Sequence, residues 1–396
     1  MIQLRNNNIT DLLNFQGIKQ DKVKYSKNLI EVWISYPVKE HVCPCCKHMT
    51  SRVHDYYERS FNHIKVGKRA TKIYYKQRRY VCTNCGKRFP ENNSFIERFY
   101  RHSNDVVNSV FDELTTIRNF SQIGEDNNMS AGNVIRLMDK FMHIFHNIST
   151  LPEAIGIDEF RGNAGGNKFQ VAITDLKKHK IIEVISARSE DALRHFFKNI
   201  TNTHQVKIVT MDLSMFFKNV ILDVFPNAKI VADTFHFTRL MHWALDNVRK
   251  NVQKGLPKDM RLYFKHSKSV LHKRISDLNV EQYQQLCRML DYDETLRWSY
   301  SIVQKLFEII DEKDSDKKVL LFKDFMTYAS NCNIPEFNKH LQTYFKWHKY
   351  IINSFYTNYS NGITEGLNTK IKTLKRISFG FRNFKNFRLR ILMACS

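Results

Sequence analysis

EAIGIDEF at 153–160, KFQVAITDL at 168–176 and KIIEVISAR at 180–188 are three apolar segments of strand length, the first two joined by the turn-rich RGNAGGN at 161–167. Their spacing predicts a meander of three strands. A helix is predicted at about 190–200, then the strand VKIVTMD at 206–212, a helix over Leu213–Phe225 and, introduced by Pro226, the strand AKIVADTFHF at 228–237. Three sequential strands followed by alternating helix and strand predict an α/β domain with a mixed sheet, over residues 151–238. That order fits the ribonuclease-H type.

Moving outward, residues 239–355 read as helical, charged and aromatic with no comparable strand order, which predicts a helical insertion. A last helical zone starts near Gly362, continues past Arg376 and is broken by Gly380; residues 356–396 are assigned to the last part of the core. On the N-terminal side, residues 100–148 read as three short helices, Asp105–Leu114 and Ala131–Phe145 being the outer two, with Ser130 as N-cap of the last. Three helices with a turn before the third describe a helix-turn-helix with Ala131–Phe145 as recognition helix, although any small three-helix unit gives the same trace. Residues 41–95 form a cysteine-bearing segment that includes a predicted strand at Thr71–Cys82, and residues 1–40 precede it with a strand-like run at Leu29–Trp33. The fold class is thus multidomain α/β.

Five of the eight cysteines lie in two clusters, and Cys287, Cys332 and Cys395 stand apart. Cys43-x2-Cys46 and Cys82-x2-Cys85 have the spacing by which two thiolates on a tight turn share one tetrahedral zinc with a second pair. Cys45 is an extra thiol, and His41 and His48 are weaker candidates while four thiolates are at hand. Zinc here is structural: it holds together a basic segment with little apolar material of its own.

Acidic residues at strand ends are the second signal. Asp158 closes one apolar strand and Asp212 another, and parallel pairing would set both carboxylates at one sheet edge. Glu365 follows an Asn-Gly break at the start of a helix. Such a trio suits two divalent cations, one activating a nucleophile and one stabilising the leaving oxygen. Glu159 points to the other face if its strand continues. Asp233 is an alternative partner for Asp158, and His236, three residues on, suits a phosphate or a metal-bound water but also ordinary packing.

The chain carries 62 Lys and Arg against 39 Asp and Glu, a net charge of +23. Residues 65–90 hold nine Lys or Arg and no acid, and 361–396 hold eight against the single Glu365. An excess so clustered points to nucleic acid. Lys76, Arg78 and Arg79, interleaved with Tyr74, Tyr75 and Tyr80, suit phosphate contact, and so do Lys370, Lys372, Lys375 and Arg376 on the helix after Glu365. No run approaches the 18 apolar residues of a membrane span, and the start MIQLRNNNIT lacks a signal-peptide core, which predicts a soluble cytoplasmic, nucleoid-associated protein without a membrane partner.

The chain resembles the ISL-three family of bacterial insertion-sequence transposases. The resemblance runs from the paired cysteines through Gly-Ile-Asp-Glu at 156–159, Met-Asp at 211–212, Ala-Asp-Thr-Phe-His at 232–236 and Asn-Gly-Ile-Thr-Glu-Gly at 361–366 to the block at 372–384. It implies a ribonuclease-H-like DDE catalytic domain with Asp158, Asp212 and Glu365 as triad, the helical insertion separating the last strand from the Glu helix. It further implies magnesium or manganese as catalytic metal, terminal inverted repeats and target DNA as substrates, and a homodimer or larger homo-oligomer on DNA. Two positions depart from the family pattern: Lys47 stands where a Gly is usual and Thr234 where Arg is common. Two rival readings share these features: a catalytically silent zinc-containing DNA-binding regulator, and a ribonuclease-H-like RNA-processing nuclease.

Overall fold

The computed structural model describes residues 9–15, 17–145 and 148–395; the start of the N-terminal segment, Met1–Asn8, lies outside the described residues. The chain divides into two units, one drawn from residues up to 146 and from 373 onward, the other from 147–372.

The first unit begins with a short helix α1 (Ile9–Leu12) and strands β1 (Lys19–Tyr25), β2 (Leu29–Ser35), β3 (His41–Val42), β4 (Met49–Thr50), β5 (Val53–Val66), β6 (Arg69–Val81) and β7 (Arg88–Pro90). A five-stranded sheet runs β1-β2-β6-β5, with β7 also on β6. The long β5–β6 hairpin closes through Gly67, whose φ of +62° is the left-handed conformation a tight hairpin demands. Alternation along β6 sends Ile73 and Tyr75 into a core with Phe15, Val32, Phe61 and Phe95, leaving Lys72, Tyr74 and Lys76 on the opposite face.

Helices α2 (Asn104–Leu114), α3 (Phe120–Asp126) and α4 (Ala131–Lys140) follow, capped by Ser103, Asn119 and Ser130, each accepting from a backbone N–H of its first turn. The α3–α4 turn is tight: a Cβ on Gly124 would lie 2.6 Å from the Met129 carbonyl oxygen, so only glycine fits. The helix expected to reach Phe145 ends at Lys140 and continues as a 3-10 turn.

The second unit holds β8 (Ala154–Phe160), β9 (Gln170–Asp175), β10 (Lys180–Ile185), α5 (Glu190–Phe197), β11 (Ile208–Met211), α6 (Met215–Val224) and β12 (Lys229–Ala232). The sheet order is β10-β9-β8-β11-β12, antiparallel on the β10 side and parallel from β8 to β12. Every residue of β9 is buried, as a central strand covered on both faces requires. The mixed α/β sheet of the sequence reading is therefore present, with one correction. AKIVADTFHF is not one strand: β12 stops at Ala232 and α7 (Thr234–Lys254) begins at once. Phe237, Met241, Ala244, Leu245 and Val248 repeat at helical spacing and bury one stripe.

The helical stretch continues with α8 (Lys258–His266), α9 (Lys268–Leu271), α10 (Val280–Tyr292), α11 (Glu294–Asp311), α12 (Ser315–Asn331) and α13 (Pro335–Phe355). It shares the core of the sheet: the buried Tyr344 hydroxyl donates to the Phe237 carbonyl at 2.8 Å, and the Asn353 amide donates to Ile230 in β12 at 2.7 Å. Next come α14 (Gly362–Ile377) and α15 (Phe384–Cys395). Residues from 373 onward, assigned from sequence to the ribonuclease-H-like core, cluster instead with the first unit. Leu389 and Met393 of α15 join the core of α2–α4, and the buried Arg390 guanidinium donates to the carbonyls of Leu114, Thr116 and Arg118. Those are carbonyls at and beyond the C-terminus of α2, where helices leave acceptors unpaired.

Candidate active site and zinc centre

In the parallel part of the second sheet Met211 pairs with Ile157 on one side and with Ala232 on the other. The next residue of each strand is an aspartate, so Asp158, Asp212 and Asp233 stand in a row, one strand spacing of about 4.8 Å apart. Asp158 accepts hydrogen bonds from the Asn368 amide at 2.7 Å and from the Glu159 backbone N–H at 2.8 Å. Burial, and then the charge of Asp212, outweigh these and push its carboxyl up to about 7. Burial also raises Asp233, and the charges of Asp212 and Glu365 add to it.

His236 lies in the first turn of α7, with Nε2 2.8 Å from Asp212 and 3.6 Å from Asp233. Arg239 Nη2 is 2.9 Å from its Nδ1. Arginine can only donate, so Nδ1 accepts and the ring proton sits on Nε2, facing the carboxylates. Donor atoms of Asp212, Asp233 and His236 lie within 4.8 Å of one another, the crowding a cation would relieve.

Glu365 is exposed in the first turn of α14, a helix fastened to the sheet by residues around it. Thr210 Oγ1 donates to Asn361 at 3.3 Å, the Thr364 and Thr174 hydroxyls meet at 2.8 Å, and Asn368 holds Asp158. Gly156 makes this approach feasible: a Cβ there would stand 2.3 Å from Thr364 Oγ1 and 2.5 Å from Thr174 Oγ1. The fold thus gathers Asp158, Asp212, Asp233 and His236 and sets Glu365 within electrostatic reach of Asp233. Glu159 turns away to an ion pair with Arg188. Sequence reasoning passed over Asn368 and Arg239; each lies three residues, one helical turn, beyond a residue it did single out.

In the first unit the Cys43, Cys46, Cys82 and Cys85 sulfurs all lie within 4.8 Å of one another, with Cys43–Cys85 at 3.6 Å and Cys46–Cys82 at 3.5 Å. Two sulfurs bound at 2.3 Å to one tetrahedral zinc would be about 3.8 Å apart. The two turns match: the N–H of Lys47 donates to Cys43 and that of Gly86 to Cys82, each at 3.0 Å, with φ of +62° and +70°. Lys47 therefore adopts the left-handed conformation that a glycine, Gly86, takes in the other turn. The His48 backbone N–H is the main cause that brings the Cys46 thiol down to about 6, toward the thiolate that metal requires. Cys45 is exposed and outside the cluster.

The basic residues divide. Arg78 is buried against Glu91 at 3.0 Å and donates through Nη1 to the Tyr36 carbonyl, so its assignment to phosphate contact is corrected: its guanidinium is engaged within the fold. Tyr75 and Tyr80 are buried too, and Arg79 pairs with Asp55 at the surface. Lys76 stays exposed over the Tyr56 ring, on a sheet face where Trp33 and Tyr74 stack 4.6 Å apart. Lys22 and Lys24 lie over Trp33 and Lys72 over Tyr74. On α14, Lys370, Lys372 and Arg376 are exposed and Lys375 is half-buried. The helical period puts Lys372 and Arg376 on the face of Glu365 and Lys370 about 140° round from it. No helix among the described residues is long and apolar enough to cross a membrane.

The sequence model of a transposase family, the ISL3 type, matches residues 155–391, and that of the zinc finger of transposase IS204/IS1001/IS1096/IS1165 matches residues 39–85. The transposase for insertion sequence element IS1001 of Bordetella parapertussis is 20% identical over 405 aligned positions, 96% of each chain. The transposase for insertion sequence element IS1557 of Mycobacterium tuberculosis is 24% identical over 255, covering 58% of this chain and 57% of its own. A Lactococcus lactis protein named as an ATP-dependent protease is 34% identical over 132 residues, 33% of this chain and 38% of that one. The first match takes in the sheet, the aspartate row, the helical stretch and the Glu365 helix, and the second takes in all four clustered cysteines. The chain belongs to the ISL3 family of transposases, and it is a DDE-type DNA transposase.

Proposed function

We propose that this transposase cuts and joins DNA with Asp158, Asp212 and Glu365 as the carboxylates that hold divalent metal, magnesium or manganese. The observation that carries the reading is the aspartate row, in which the Asp158 carboxyl is pushed to about 7 by burial and by Asp212: like charges are concentrated where a cation would stabilise them. When bound, the metal would activate the attacking oxygen and stabilise the leaving one. Asn368 orients Asp158, and His236, fixed by Arg239, orients Asp212 through its Nε2 proton. Asp233 is the contrasting candidate for the second acid, since it shares the donor cluster with Asp212 and His236.

The substrates on this reading are the terminal inverted repeats of an insertion sequence and a target duplex, handled by a homodimer or larger homo-oligomer. The zinc-bound turns and helices α2–α4 would engage the ends. Lys22, Lys72 and Lys76 on the outer sheet face, and Lys372 and Arg376 beyond Glu365, would contact the backbone, which positions DNA without reading sequence. The rings of Trp33 and Tyr74 stack on each other with lysines over them, so that sheet face offers phosphate contacts. The test is purified protein on labelled duplexes carrying the native element ends, with and without magnesium, against generic RNA. Magnesium-dependent nicking at the duplex end supports the reading. Binding without cleavage would instead describe a regulator, and preferential cutting of RNA a nuclease.

A further inference from the structure

Next to Asp212 the second unit opens into a cleft of about 610 Å³, in the size range of small-ligand sites. Its walls differ in chemistry. Leu213, Met215 and Phe216, from the β11–α6 turn and the start of α6, make one side apolar, while Arg188 with its partner Glu159 and Arg239 with His236 line the other. Arg188 lies 5.8 Å from the Phe216 ring centre. Arg239 is held between Phe235 and Trp243, one helical turn away on either side along α7, at 5.2 and 4.8 Å. Met215, Phe235 and Trp243 are each about half exposed. Large apolar side chains left in water beside fixed arginines mark a surface that a ligand covers.

We propose that this cleft takes one nucleotide of the strand being cut, its base turned out of the duplex against Phe216 and Met215 and its phosphate held by Arg188 and Arg239; this rests on the reading of Asp158, Asp212 and Glu365 as the cutting site. Paired bases inside a helix cannot enter a cleft of this size. A free phosphate would leave the apolar wall in water, and a purely apolar ligand would leave Arg188 and Arg239 with no partner beyond Glu159 and His236. A nucleotide satisfies both walls: aromatic groups stack on any base, and arginine pairs with phosphate. Because the cleft adjoins Asp212, the nucleotide it holds is adjacent to the phosphate that the site processes. Unstacking there frees the backbone for the in-line approach that phosphoryl transfer needs.

The test uses the full chain and element-end duplexes with 2-aminopurine at each position in turn around the scissile phosphate, a fluorophore that brightens when unstacked. Binding is followed separately by anisotropy of a distant label. One position next to the cut should brighten several-fold, and a duplex mispaired there should bind about threefold tighter or better, since the base is extruded at lower cost and still fills the cleft. In a Met215→Ala/Phe216→Ala variant the brightening should vanish at protein concentrations that saturate the duplex, while Phe216→Tyr keeps it. Full binding with no bright position, or brightening unchanged in the double variant, overturns the proposal. If that variant fails to fold, the wild-type scan and the mispaired duplex decide alone. Cutting of unmodified duplex in magnesium with no bright position defeats the cleft only; absence of cutting by wild-type protein defeats the site reading and the proposal with it.

Discussion

Gly156 shows how much of the site hangs on one missing side chain. Thr364 and Thr174 occupy the space a Cβ would need, so Gly156→Ala must push α14 away from β8 or strain the strand. The expected result is a loss of about 1–3 kcal/mol in urea unfolding, with cleavage falling far more than DNA affinity. Elsewhere in the second unit His242 and His272 lie with ring centres 4.8 Å apart. Burial, then the charge of His242, holds His272 down to about 4, against about 6.5 in the unfolded chain. Between those values the unfolded chain binds the proton and the folded one does not, so this contribution is intact above pH 6.5 and is lost as pH falls toward 4. Urea midpoints from pH 7 to pH 4.5 should fall less steeply for His272→Gln than for wild type; parallel curves would remove the argument. Asp158 and Asp212 were legible because each closes an apolar run. Asn368 was not, since it lies 210 residues from the Asp158 it serves, and no local pattern encodes that contact. Arg78 was misread because composition registers a charge but not the Glu91 that consumes it.

Among elements, the two cysteine turns form with matching hydrogen bonds although one has Lys47 where the other has Gly86. Left-handed backbone is costly for a lysine, and metal ligation by Cys43 and Cys46 just before it is the natural source of compensation. A Cys82→Ser/Cys85→Ser variant should contain no zinc by elemental analysis and should lose structure in the first unit while the second melts almost unchanged; retained zinc would refute the ligand set. The start of α7 carries a different lesson. Val231 and Phe235 continue the apolar pattern of a strand, and only the helical repeat from Phe237 to Val248, a longer window, reveals the helix that brings His236 back to Asp212. The placement of α15 could not be read locally either, because Arg390 serves carbonyls more than 270 residues earlier.

For the whole molecule, a net charge of +23 makes DNA affinity fall steeply with salt as condensed counterions are released. Replacing both Lys72 and Lys76 with Gln should reduce the slope of log affinity against log salt by about 1.8, the effect of two phosphate contacts. Arg78→Gln should leave that slope alone and lower stability instead, because its partner Glu91 would be left buried without its cation. The succession of strands and helices and the pairing of the cysteines were within reach of sequence because they follow from periodicity and spacing; the fastening of α14 to the sheet rests on contacts between distant segments. The central claim is that Asp158, Asp212 and Glu365 do the cutting, and it is tested most directly by the rate of magnesium-dependent nicking at a labelled element end, read beside gel-shift affinity. Asp158→Asn, Asp212→Asn and Glu365→Gln should each lower the rate by about a thousandfold or more with affinity within a few-fold, since the amides nearly keep shape but lose the charge that holds metal. Near wild-type nicking by Asp212→Asn with a dead Asp233→Asn would move the site to Asp158, Asp233 and Glu365, and full activity in all three triad variants would contradict the account.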